Sequence, residues 1–265
     1  MTKHNLPHEE ITRFELYEGR NTEQMPKLIA DGRVPMNVAQ LMQRRLDLRN
    51  DETGVGDFYM DNYFDTGDAV VYHPDGRVKI VLDSQYLRDM IPESPRNGGA
   101  LILGEDVYKA LEGEEFKKGK FGKVETGLSK KGAKAHPIWK VLARDQALLD
   151  DYVDYIFEEG KQRFDYDTAM GIYPDSAGND PKMRAWYVGR FVDWSDAYGG
   201  YNLGNDVGRF AGLAPEVLSA SNNGVKNVGK YTMTDLQKLD ESIRGLESFV
   251  RPELLEGIKG FRGKL

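Results

Sequence analysis

The stretch DAVVYHPDGRVKIVLD, residues 68–83, sets two β-branched runs on either side of His73-Pro74-Asp75-Gly76. Proline suits the second position of a tight turn and glycine accepts a left-handed backbone, so the stretch predicts a β-hairpin. A sheet is therefore part of the fold, and the flanking sequence says what surrounds it.

Upstream, residues 11–18 (ITRFELYE) alternate Phe14 and Leu16 with Arg13 and Glu15, the period of a half-buried strand, and a short helix is expected from there to Ala30. Asn37 and Gln40 have the spacing of a capping box, and Val38, Leu41, Met42 and Leu46 share one face of the helix that follows to about Arg49. Downstream, Ser84 caps a short helix that Pro92 ends, and Ala100–Leu103 reads as a strand before a helix over 105–112.

Between residues 113 and 134 seven lysines and five glycines break all periodicity, the composition of a linker or mobile loop. The segment has no G-x-x-x-x-G-K-[ST] pattern and so is no phosphate loop. Beyond it, Pro137 opens the longest predicted helix, which Gly160 ends, with Ile138, Leu142, Leu149, Tyr152 and Ile156 along one stripe. A last helix is bounded by Thr234 and Pro252, with Leu236, Leu239, Ile243 and Leu246 as its apolar stripe. The expected architecture is α+β, with a hairpin-containing N-terminal half (1–112), the 113–134 linker, and a more helical C-terminal half (135–265) built around an irregular region at 165–213.

Totals exclude several chemistries. The 265 residues contain no cysteine, which removes disulfides, thiolate zinc sites, iron–sulfur clusters and cysteine nucleophiles. With 36 basic and 43 acidic residues the net charge is -7, which argues against broad binding of a phosphate backbone. The N-terminus MTKHNLPHEE lacks the apolar run of a secretory signal, and no stretch approaches the ~20 apolar residues of a membrane span. The expected location is the cytoplasm, or a virion assembled there, with no membrane partner.

The segment 165–213 carries the candidate site. Nine aromatics, including Trp186 and Trp194, are interleaved with aspartates, arginines and glycines, and long irregular aromatic loops are where sites tend to gather. The same composition also fits an aromatic core with polar turns. Arg184, Trp186, Arg190, Trp194 and Arg209 are the candidate ligand-binding residues. The last two arginines lie in two copies of Val-Gly-Arg-Phe (188–191 and 207–210), a short repeat that would make an anion clamp if the turns were paired. Asp165, Asp167, Asp193, Asp196 and Asp206 are the candidate metal ligands, for magnesium or calcium, although neither Asp165 nor Asp193 starts an EF-hand pattern.

Other acids and histidines are weaker candidates. Asp57, Asp61 and Asp65 recur every four residues, but their aromatic surroundings favour turns and strand edges over a carboxylate stack on a helix. His4, His8, His73 and His136 have no G-x-S-x-G serine to serve.

No motif of an enzyme class survives, so the first expectation is a non-catalytic binding or assembly protein that uses 165–213 on a small polar or anionic ligand or a protein partner. Residues 252–265, apolar with basic companions, would assist self-association or partner docking. The alternatives are a divalent-metal hydrolase of a phosphate-containing substrate and an acidic decoy or partner of a basic surface.

Overall fold

A computed structural model describes residues 6–117, 125–175 and 178–215, without the side chains of residues 8, 9 and 193. The expected helix at 234–252, the 252–265 tail, His4, and the lysine-rich middle of the 113–134 segment lie outside the described residues.

The chain begins with α1 (His8–Arg13), β1 (Phe14–Glu18), α2 (Asn21–Ala30), β2 (Val34–Pro35) and α3 (Val38–Asp47). α4 (Val55–Asp61) leads into β3 (Phe64–Tyr72) and β4 (Val78–Val81). There follow α5 (Gln85–Arg88), β5 (Arg96–Asn97), β6 (Ala100–Ile102), α6 (Glu105–Ala110) and β7 (Glu114–Phe116). The later residues form α7 (Lys130–Ala135), α8 (Pro137–Ala143), α9 (Gln146–Phe164), β8 (Ile172–Tyr173), β9 (Lys182–Val188), β10 (Ala197–Tyr198) and β11 (Arg209–Leu213). Helices and a mixed sheet of many strands make this an α+β fold.

The hairpin is present, with Val70 opposite Ile80 and Gly76 at φ 90° in the turn. β3 is the spine of the sheet, whose main order is β1-β11-β3-β9-β10-β8. At its start β3 lies between β9 (Phe64 opposite Val188) and β11 (Asp65 opposite Phe210, parallel). Register with β9 then shifts between Asp65 and Ala69, and past this irregularity β4 takes the place beside β3 that β11 held. Asp68, within the shift and fully buried, accepts the backbone N–H of Val38 and of Asp83 at 2.9 Å each and an Arg144 Nη2 bond of 2.6 Å. One carboxylate thus ties β3 to the start of α3, the end of β4 and the end of α8.

β3 is buried along its whole length, and its side chains divide between two apolar clusters. Val70 and Tyr72 join the cluster with Val38 and Leu41 of α3, Trp139 of α8 and Tyr152 and Ile156 of α9. Ala69 and Val71 join the other, with Met25 and Leu28 of α2, Leu87 of α5 and Tyr108 of α6. Helices therefore cover both faces, which is why the strand reads as a continuous apolar run instead of an alternating one.

Three expectations about elements change. Residues 11–13 belong to α1, and the strand is confined to Phe14–Glu18. The long helix from Pro137 is two helices: Arg144 turns left-handed at φ 63°, and Asp145 caps α9 by accepting the Leu148 N–H at 2.8 Å. The region 165–213 supplies β8 through β11, including two of the three strands flanking β3. Strands contributed from both sides of residues 113–134 interleave in one sheet. α3 forms as read, with the reciprocal Asn37–Gln40 capping box at 2.9 Å in each direction.

Candidate functional site

The C-terminal corner of the sheet is built from tyrosines placed by strand register. Tyr198 of β10 stands directly opposite Tyr187 of β9 on one side and Tyr173 of β8 on the other. Neighbouring strands lie ~4.8 Å apart, so three in-register rings on one face are brought to stacking distance by the backbone itself. Tyr173 and Tyr198 stack at 4.5 Å and 16°, and Tyr198 and Tyr187 at 4.5 Å and 3°. Tyr201 closes the row edge-on to Tyr187 at 5.2 Å, and Tyr63, just before β3, meets Tyr187 at 5.9 Å. All five rings are half-buried.

Beside this row lies a cavity of about 220 Å³ lined by Tyr173, Pro174, Tyr187, Tyr198, Gly200 and Tyr201. The chain between Tyr198 and Gly200 is held by one close approach: the Tyr72 hydroxyl donates to the Gly199 carbonyl at 3.1 Å, and a Cβ on Gly199 would fall 2.3 Å from that hydroxyl. The same hydroxyl accepts the Asp175 N–H at 2.9 Å, which anchors the chain just after Tyr173 and Pro174.

Electrostatics around the row come from buried acids. Asp196 is buried and accepts the Gly171 N–H. Burial, reinforced by Asp196, raises the Tyr173 phenol above its ordinary value. Asp65 is wholly buried near Tyr63 and Tyr201; burial pushes its carboxyl up to about 7, against the Arg209 N–H (2.8 Å) and the Asn21 carboxamide, which lower it. The Tyr63 and Tyr201 phenols are raised as well, first by burial and in part by the charge of Asp65. Tyr63, Tyr173 and Tyr201 therefore keep their hydroxyl protons for hydrogen bonding.

The sequence-derived candidates fall elsewhere in this frame. Arg184 is buried, with Nε on Asp175 at 2.8 Å and its two Nη groups on the carbonyls of Tyr201 and Gly98 at 2.7 Å. It is a strut behind Tyr201. Trp186, the neighbour of Tyr187 on the opposite face of β9, is wholly buried in the core. Arg209 pairs with Glu18 at 2.6 Å, bonds the Asn62 Oδ1, and lies 5.6 Å from the Tyr63 ring. Arg190 is exposed and caps the short 3-10 turn Phe191–Asp193, whereas its partner in the repeat, Arg209, lies in a strand, so the two are not on equivalent turns. Trp194, half-buried and left-handed at φ 65°, meets Tyr166 edge-on at 5.9 Å.

The candidate metal ligands are dispersed among different tasks. Asp165 and Asp167 both pair with Lys161, at 2.6 and 3.1 Å, on the outside of α9. Asp196 is committed to Gly171, Asp206 is exposed in the loop after Tyr201, and the Asp193 side chain lies outside the described residues. Among the described residues no three histidine, aspartate or glutamate side chains gather as a metal site. Asp57, Asp61 and Asp65 are likewise split, the first two on α4 and the third buried on β3. His73 bonds Glu105 at 2.9 Å and His136 caps α8, both in structural positions.

Reading the sequence by charge and by tryptophan missed the tyrosines. The signal was there in Tyr173, Tyr187, Tyr198 and Tyr201, four tyrosines in a segment of 29 residues, but only strand register shows that they converge.

No family model matches the chain, and no curated protein does. A solved structure described as accommodation of massive sequence variation in Nanoarchaeota by the C-type lectin fold matches it with a TM-score of 0.57. The match is 16% identical and covers 76% of this chain and 98% of that one. That likeness shows the fold: the chain resembles C-type lectin folds. Among the described residues no helix is long and apolar enough to cross a membrane.

Proposed function

We propose that the protein is a non-catalytic binding protein whose recognition surface is the row Tyr63, Tyr187, Tyr198, Tyr173 with Tyr201. The observation that carries this reading is the three-ring stack at 4.5 Å, set by strand register and left half-open. Tyrosine offers large contact area with few rotatable bonds and a hydroxyl that donates or accepts, the properties that favour it in recognition surfaces. Stacking removes most of the freedom the rings would otherwise lose on binding, so the surface is preorganised.

The C-type lectin-like fold supports a binding role over an enzymatic one. The fold neighbour is described as accommodating massive sequence variation, and we carry that property to this chain as part of the proposal. The frame behind the row, made of Tyr72, Gly199, Arg184 and Asp196, is separate from the rings themselves, so the ring positions can change while the frame stays. The target is a polar surface with apolar ground between its hydrogen-bonding groups, of protein or glycan. The cytoplasmic location and the small anionic ligand belong to this proposal only as far as the target requires them.

The test is a screen of protein and glycan arrays with the full chain and with a Tyr187→Ala/Tyr198→Ala variant of unchanged melting behaviour. A ligand retained by the full chain should lose at least about tenfold in affinity with the variant, roughly 1.4 kcal/mol. A ligand held equally by both would place recognition elsewhere.

A further inference from the structure

Among the described residues, the largest fully buried charged side chain is not at the tyrosine row but behind it. Arg45, on the inner face of α3, is 1% exposed and has no carboxylate among its partners. A buried cation without an anion is tolerated only when its N–H groups are met by well-placed acceptors. Here they are: Nε donates to the Tyr59 carbonyl at 2.9 Å, and Nη1 to the Tyr152 hydroxyl and Ser195 Oγ at 2.8 Å each. Nη2 donates to the carbonyls of Asn62 at 3.1 Å and Gly189 at 3.0 Å.

The acceptors are not random neighbours. Asn62 immediately precedes Tyr63, Gly189 comes two residues after Tyr187, and Ser195 comes three before Tyr198. Ser195 also shares a 2.7 Å bond with Tyr152 of α9, and it and Trp194 both hold left-handed backbone in the loop that joins β9 to β10. One planar group therefore grips all three segments that bear those rings. We infer that Arg45 is the positioning residue of the tyrosine row, fixing from α3 the spacing of the chain segments that carry Tyr63, Tyr187 and Tyr198. The inference rests on the proposed role of that row only for its functional meaning; the geometric claim stands on the bonds.

Lysine cannot replace this residue. Its ammonium presents donors from a single atom, whereas the guanidinium spreads them in a rigid fork over acceptors on different segments. The consequence is local: the rings should lose their mutual register while the apolar cluster in which Tyr108 is buried with Met25 and Leu87, to which none of Arg45's partners belongs, keeps its order.

The experiment is ¹⁹F NMR of the full chain labelled with 3-fluorotyrosine, with resonances assigned by single Tyr→Phe changes. Arg45→Lys should move the Tyr187, Tyr198 and Tyr63 resonances by more than their linewidths toward the position of exposed Tyr86, and leave Tyr108 in place. Ser195→Ala releases one acceptor and keeps the other four, so it should shift Tyr198 in the same direction by less, and it decides the matter if Arg45→Lys does not fold. Unmoved ring resonances in the folded variants, or movement of Tyr108 together with the row, would overturn the inference and leave Arg45 as a core residue only. Because no ligand enters the measurement, failure of the binding proposal and failure of this one are told apart.

Discussion

Two aromatic clusters of this protein use similar rings to opposite ends. Phe14, Phe58, Tyr59 and Phe64 are buried between α3, α4 and the sheet, and three of their four contacts are edge-on, at 5.6–6.4 Å. The tyrosine row lies on strands, is stacked by their spacing, and stays half-open. In the first cluster shape is set by helices filling space with irregular ring angles; in the second it is set by the backbone ladder. Aromatic content alone therefore does not mark a site. The proposed recognition surface rests instead on tyrosines in register on adjacent strands, with a face left to solvent.

Removing a ring should separate the two most sharply. Tyr59→Ala, in the buried cluster, should cost about 3–5 kcal/mol of unfolding free energy in urea titrations. A loss under about 1 kcal/mol would erase the contrast, because that ring would then not be filling a core.

Between the clusters stands Asp65. Its folded carboxyl is raised to about 7 from 3.8, so the stability it contributes is fully present below pH 3.8 and is lost as pH rises to about 7. The span corresponds to a change on the order of 4 kcal/mol. Asp65→Asn should flatten this part of the stability–pH curve and leave the variant the more stable protein at pH 8. An unchanged curve would mean that the buried carboxyl is not the group titrating beneath Tyr63 and Tyr201.

Asn37→Ala, which removes the capping box from the helix that carries Arg45, should cost about 1 kcal/mol in thermal unfolding. Losing Tyr173, the outermost ring of the row, should matter least: Tyr173→Ala should cost roughly 0.5–1 kcal/mol, the worth of one aromatic pair. A cost as large as that of Tyr59→Ala would make the row another core.

What could be read directly from the amino acids was local. The hairpin at 68–83, the Asn37 cap and the Ser84 cap each depend on residues within a few positions of one another, and each is present. β9 was hidden because it is buried on both faces over most of its length, which removes the alternation that marks a strand. The break between α8 and α9 hung on Arg144, whose left-handed backbone is held by Asp68 and Asp83, about sixty to seventy-five residues away in sequence. Arg45 sits in the polar run Gln43-Arg44-Arg45, and its acceptors lie as far off as residue 195. The tyrosine row was hidden in the same way. Charge drew attention to Arg184 and to the aspartates, while the tyrosines that meet do so only across three strands.

β11 has a consequence for how the molecule comes into being. It is inserted between β1 and β3, with Leu213 opposite Phe14 and Phe210 opposite Asp65. A ribosome must therefore release more than two hundred residues before the earliest strand finds its neighbour. Until then β1 has no partner and one side of the start of β3 is bare, a standing invitation to intermolecular pairing that slow, long-range closure prolongs. Chains cut short before residue 209 should aggregate, and this protein should depend on chaperones more than its modest size implies.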